Sequence, residues 1–203
     1  KPIRTVSEVD AYGREVIASY ADPQLASWGF LDVTKAPYLA DPSGERDSTA
    51  ILQRAVNDAR DARLVAYLPA GRYRVSDTIE GVVGTVVPDR WPFEGPADPW
   101  VANRSFDYPC VIAGPGDGAR ATIVLADHAP GFCDPANPKP LLYFWARPES
   151  DPVRWPGPQS NINFNQKILS LDFELGAGNA GAIAIDHRGA EGSTIEDVTI
   201  RAS

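Results

Sequence analysis

The sequence predicts a mainly β fold of the solenoid type, introduced by a capping helix and interrupted by long Pro- and Trp-rich insertions. Three observations carry that expectation. Leu171 to Val198 and Phe173 to Ile200 each span 27 residues, and both strands alternate apolar with polar side chains in the same phase, as one turn of a stacked coil would require. The other apolar runs, such as Leu64–Leu68 and Leu141–Trp145, are of strand length and end in turn signals. Between Asp47 and Ile79 the chain passes from helix-capping residues through a helical period to a short apolar run, a Pro-Ala-Gly turn and a second run in strand alternation.

Taken in order, Ser7–Tyr20 carries Val9, Val16 and Ile17 as an apolar stripe behind a Ser7/Asp10 pair resembling a capping box, which predicts a helix. Gly29–Val33 is a short strand and 36–46 a loop. Asp47 or Ser48 then caps a helix in which Ile51, Leu52, Ala55, Val56 and Ala59 recur at three- and four-residue spacing. Asp58, Arg60, Asp61 and Arg63 make its solvated face. Leu64–Leu68 reads as a strand buried on both faces, 69–72 as a turn, and Tyr73, Val75 and Ile79 as the strand beyond. Val82–Ser105 is an insertion. Cys110–Gly118 and Thr122–Leu125 form two strands around a glycine turn; the GxGxG there is no dinucleotide loop, because Thr122–Leu125 is strand-like where a helix should open. Residues 1–28 are thus a helical extension, and 29–203 the cap and first coils.

The net charge of −8 disfavours nucleic acid and anionic membranes as partners, and no apolar run is long enough to span a bilayer as a helix. The chain begins at Lys1 and holds no methionine, which suggests a trimmed, exported product, secreted or displayed at the cell surface. Cys110 and Cys133 admit either one disulfide or two thiols. They cannot build a structural zinc site alone, and no His pair has ligand spacing, so no metal is expected.

Asp47-Ser-Thr-Ala-Ile-Leu-Gln53-Arg-Ala55, followed by Val65-Ala-Tyr-Leu-Pro-Ala-Gly71-Arg-Tyr73-Arg-Val75, resembles the N-terminal signature of the pectate-lyase-like superfamily. The coils from Ala180 to Val198 are similar to the same superfamily, closest to the laminarinase-type β-1,3-glucanases. The Gly-Asp-Gly usual before the acidic pair is replaced here by Ser43-Gly-Glu-Arg. The resemblance implies a right-handed parallel β-helix whose first coil is covered by the helix. It also implies a polysaccharide or oligosaccharide as partner, and catalytic residues on middle and later coils. A solenoid this short would leave its last edge bare, so a longer polypeptide, a second chain or an oligomer is expected to complete it.

Candidate chemistry falls on few residues. Asp172 and Glu174 lie two apart on one strand face, roughly 6.5–7 Å along the strand, within the range of an inverting glycosidase pair. Simple solvation is the alternative, and the 27-residue register sets Glu174 beside Arg201, which would lower its pKa and spoil it as an acid. His187, in Asp186-His-Arg188, is a candidate base or sugar hydrogen-bonder. Trp91, Trp100, Trp145 and Trp155, with Arg201, are candidate substrate contacts; packing of the loops onto the coil is the alternative for the rings. The leading expectation is a glycoside hydrolase acting on a neutral β-glucan-like polymer without cofactor. A uronate lyase, which would call for Ca²⁺, and a non-catalytic glycan-binding β-helix of tailspike or adhesin kind stand as alternatives.

Overall fold

A computed structural model of the chain describes residues 7–9, 15–17, 29–85, 109–148 and 163–202. The described residues are mainly β. Two short strands, β1 (Ser7–Val9) and β2 (Glu15–Ile17), pair antiparallel. The expected helix over Ser7–Tyr20 is therefore corrected: β2 holds the β-branched Val16 and Ile17 and β1 ends on Val9, and Gly13 between them penalises a continuous helix. Next come β3 (Phe30–Asp32), the single described helix α1 (Thr49–Asp61), β4 (Val65–Tyr67), β5 (Gly71–Val75) and β6 (Ile79–Thr85). The remaining strands are β7 (Val111–Ala113), β8 (Ala121–Leu125), β9 (Lys139–Pro148), β10 (Lys167–Leu169), β11 (Leu171–Leu175), β12 (Ala182–His187), β13 (Thr194–Glu196) and β14 (Thr199–Ala202).

These strands form three parallel sheets, ordered β13-β10-β7-β4-β3, β14-β11-β8-β5 and β12-β9-β6. From β4 onward the chain visits the sheets in a fixed cyclic order, one strand per sheet per pass. The 27-residue register is real: Phe173 pairs with Ile200 and Glu174 with Arg201. Earlier passes are longer. Gly71, Ala121 and Leu171 are successive partners, 50 residues apart each time.

Side chains stack in columns because the strands are in register. Tyr73, Ile123 and Phe173 form one interior column, all nearly inaccessible, and Ile200 continues it half exposed. Ala66, Ile112 and Ile168 form another, continued by the exposed Ile195. In the third sheet Gly81, Phe144 and His187 share a column. A Cβ on Gly81 would come within 2.3 Å of the Phe144 ring, so the absent side chain lets that ring lie inside.

Helix α1 covers the first pass, packing on β4 and β6 through Leu52, Ala55, Val56 and Ala59. Its start is held by the Thr49 N–H donating to Asp47 Oδ1, while Ser48 Oγ accepts from the Asp41 N–H. Gln53 docks it: its Nε2 donates to the Glu80 carbonyl at 2.9 Å and its Oε1 accepts the Glu80 N–H at 2.7 Å. Because β6 is an edge strand among the described residues, this one amide satisfies backbone groups that no neighbouring described strand reaches. Arg60 is not on a solvated face. It is buried, with Nε on Asp61 and Nη1 donating to the Val82 carbonyl. Asp58 likewise turns in to accept from Tyr38 Oη.

One further expectation changes, and the alternative left open for the cysteines is decided. In β4 only Ala66 is fully buried, and Val65 and Tyr67 are half-buried on the outer side. Cys110 and Cys133 are free thiols, Cys110 buried and Cys133 exposed. The glycine turn reading of 114–118 stands, since strand β8 follows it.

Candidate functional site

The two carboxylates read from the sequence share the outer face of the β5-β8-β11-β14 sheet, but arginines hold both. Arg72 donates to Glu174 through both terminal nitrogens, at 2.9 and 2.6 Å. Arg72 lies two passes before Glu174, and this fork, more than the adjacent Arg201, holds the Glu174 carboxyl below its ordinary range. Asp172 is 5% exposed and sits between Arg120, at 3.1 Å, and Arg201, at 3.3 Å. Arg120 also reaches Asp197 Oδ2 at 2.5 Å and the Asp197 carbonyl at 2.7 Å, lacing three passes together and holding the Asp197 carboxyl low. A carboxylate kept ionised by a bidentate guanidinium makes a poor general acid. Arg72, Val124, Asp127, Glu174, Leu175 and Arg201 line a groove of about 440 Å³ beside this ladder.

Trp145 and His187 belong to a different sheet, β12-β9-β6, so the structure does not gather the five described candidates at one place. His187 shares the interior column of Phe144, its ring centroid 5.4 Å from that ring. Burial dominates its titration and holds its pKa down, although backbone hydrogen bonding and Asp186 oppose the shift. The residue therefore packs as a neutral aromatic at the end of the core, not as a solvated loop histidine. Trp91, Trp100 and Trp155 lie outside the described residues.

On the outer side of the same sheet, sequence reasoning missed a second constellation. Glu80, Tyr143 and Asp186 are register partners on β6, β9 and β12, forming one outward column. Trp145 stacks on Tyr143 with centroids 5.7 Å apart and planes 13° from parallel. Arg188 lies with its guanidinium carbon 5.5 Å from the Tyr143 ring centroid and donates to Asp186 at 3.0 Å. Burial, ahead of the opposing Arg188 charge, raises the Tyr143 phenol. Glu80 has no ion pair among the described residues. Two strand spacings of roughly 4.8 Å, about 9.6 Å in all, separate the backbones of Glu80 and Asp186, with Tyr143 between them. The only signal in the sequence was the recurrence of Glu80, Tyr143 and Asp186 at unequal intervals of 63 and 43 residues, which no fixed period exposes.

No family model matches the chain, and no curated protein matches it. Among solved structures, ORF18 of Geobacillus virus E2 aligns with 85% of this chain at 13% identity and a TM-score of 0.41, and the alignment covers 28% of that protein. This chain thus spans less than a third of the virus protein's length.

Proposed function

We propose that the chain is part of a right-handed parallel β-helix of the pectate-lyase-like kind, and that it acts on an extracellular polysaccharide as a glycoside hydrolase. The observation that carries the reading is the outward Glu80–Tyr143–Asp186 column beside Trp145. The cyclic order of parallel strands and the helix over the first pass support the fold assignment. A pyranose laid along the column would meet the Tyr143–Trp145 surface with its apolar face and the flanking carboxylates with its hydroxyls.

In the inverting arrangement Glu80 is the acid: its proton goes to the glycosidic oxygen as the bond to the anomeric carbon breaks. Asp186, oriented by Arg188, takes a proton from water, and the water oxygen bonds to that carbon from the opposite side. Asp172 and Glu174 have no part in the chemistry.

The test is digestion of a panel of polysaccharides by the protein. New reducing ends without ultraviolet absorbance are expected. Glu80→Gln and Asp186→Asn should each lower turnover about 10²–10⁴-fold with binding retained, whereas Asp172→Asn and Glu174→Gln leave turnover intact. An unsaturated, absorbing product would establish elimination instead. Binding of a glycan with no turnover by the unaltered protein would establish the adhesin-like alternative.

A further inference from the structure

The proposed acid and base are steadied in different ways. Asp186 is gripped at its carboxylate by Arg188. Glu80 has no ion pair among the described residues and is held through its backbone instead. β6 is the edge of its sheet among the described residues, and the residue after Glu80 is Gly81, which gives the strand no side chain to anchor it there. Both backbone groups of Glu80 turn to helix α1, where the Gln53 amide meets them at 2.9 and 2.7 Å. Asn57, one helical turn on, accepts from the same Nε2 at 3.3 Å, which fixes the end of the amide that faces the carbonyl. Two residues along the strand, the carbonyl of Val82, register partner of Trp145, accepts from Arg60 Nη1 at 2.8 Å. Side chains of one helix thus stand where a neighbouring strand would, at the two positions of β6 that open the columns of Tyr143 and Trp145.

We infer that Gln53 is a positioning residue for the hydrolysis. The direction of a Cα–Cβ bond is set by the two peptide planes that flank it, and at Glu80 the Gln53 amide holds one group of each plane. It therefore sets where the Glu80 side chain leaves the strand and where its proton is delivered. A catalytic carboxyl works within roughly 0.5 Å and 10–20° of its productive geometry, and a misplacement of about 1 Å can cost on the order of 10²-fold in rate. Gln53 acts only through Glu80. The inference rests on the reading of Glu80 as the acid.

The test is a kinetic double-mutant cycle on the fastest-cut member of a panel of β-1,3-glucan, β-1,4-glucan and xylan, with variants whose circular dichroism is native at the assay temperature. Gln53→Ala should lower kcat about 10–100-fold while KM moves less than about twofold. Gln53→Met, which keeps the length of the side chain and removes both bonds, should do the same and serves if the alanine variant unfolds. In a Glu80→Gln background either change should cost nothing further, because the group it positions is gone. Val56→Ala, a loss on the buried face of the same helix, should leave kcat unchanged. A kcat within about twofold of the unaltered value in both Gln53 variants overturns the inference. So does an equal fractional loss in the Glu80→Gln background, or an equal loss in Val56→Ala, since either makes the effect a general one of helix attachment. Full turnover in Glu80→Gln, or no cutting of any polymer by the unaltered protein, overturns the assignment of the acid and this inference with it. An inactive Glu80→Gln beside fully active Gln53 variants overturns this inference alone.

Discussion

Replacing Gln53 with alanine tests how the helix is attached to the sheets. Its amide supplies two hydrogen bonds, at 2.7 and 2.9 Å, to the N–H and carbonyl of Glu80. Glu80 lies on an edge strand, and among the described residues no other strand reaches those two groups. A typical hydrogen bond contributes about 0.5–1.5 kcal/mol net, and an orphaned buried group costs about 1–3 kcal/mol. Glu80 is half-buried, so water repays part of that loss, and alanine's better helix propensity returns a few tenths of a kcal/mol, on the order of 0.5. The expected destabilisation is about 2 kcal/mol. With a urea m-value of about 2 kcal/mol/M, the midpoint should fall by about 1 M at unchanged slope. Gln53→Glu should do no better, because a carboxylate keeps the acceptor for the Glu80 N–H but confronts the Glu80 carbonyl with negative charge. Amide exchange at Glu80 gives a local readout and should accelerate in both variants. A midpoint shift below about 0.25 M, with Glu80 still protected, would refute the claim that this amide closes the strand edge.

Three further outcomes follow from the packing and the charges. Phe173→Ala, in the middle of a stacked interior column, should cost about 3–5 kcal/mol in denaturant titration, and a cost under 1 kcal/mol would mean the columns collapse freely. A thiol reagent should label Cys133 in the native protein, while buried Cys110, whose thiol is pushed up to about 12 mainly by burial, reacts only on unfolding. Glu174, held below its ordinary value chiefly by Arg72, contributes stability present above the unfolded-state carboxylate range and lost as pH falls through its lowered folded pKa. In Arg72→Met that acid-side loss should flatten when melting is followed from neutral to acid pH, and an unchanged profile would deny the pairing.

The parts of the fold legible in the sequence are those with a local period. Helix α1 showed itself through Leu52, Ala55, Val56 and Ala59, all of which face the strands. The last pass showed itself through its 27-residue repeat, confirmed by the pairing of Phe173 with Ile200. The earlier passes did not, because added residues stretch the same register to 50 and hide the columns. That concealment also hid the functional geometry. Asp172 and Glu174 looked like a free pair because Arg72 and Arg120 are 102 and 52 residues away from their partners. Glu80 and Asp186 looked unrelated because Tyr143 joins them only in space. His187 looked solvated because nothing local tells that its column ends on Phe144. Arg60 misled because a charged residue normally lies outside, yet here its stem packs inward and its head finds the Val82 carbonyl.

The unequal intervals between register partners also bear on how such a chain can change. Only Ser170 separates β10 from β11, and Asp197 and Val198 separate β13 from β14. Ser170 and Asp197 both turn that corner with φ near +54°. By contrast, 25 residues (86–110) lead from β6 to β7, 18 (149–166) from β9 to β10 and 6 (188–193) from β12 to β13. Over all passes the corner that Ser170 and Asp197 turn takes 1 to 7 residues, against 6 to 25 for the one that follows the strands bearing Glu80, Tyr143, Trp145 and Asp186. Evolution, or an engineer, can exchange segments there wholesale, redrawing the border of the aromatic face while every column keeps its place.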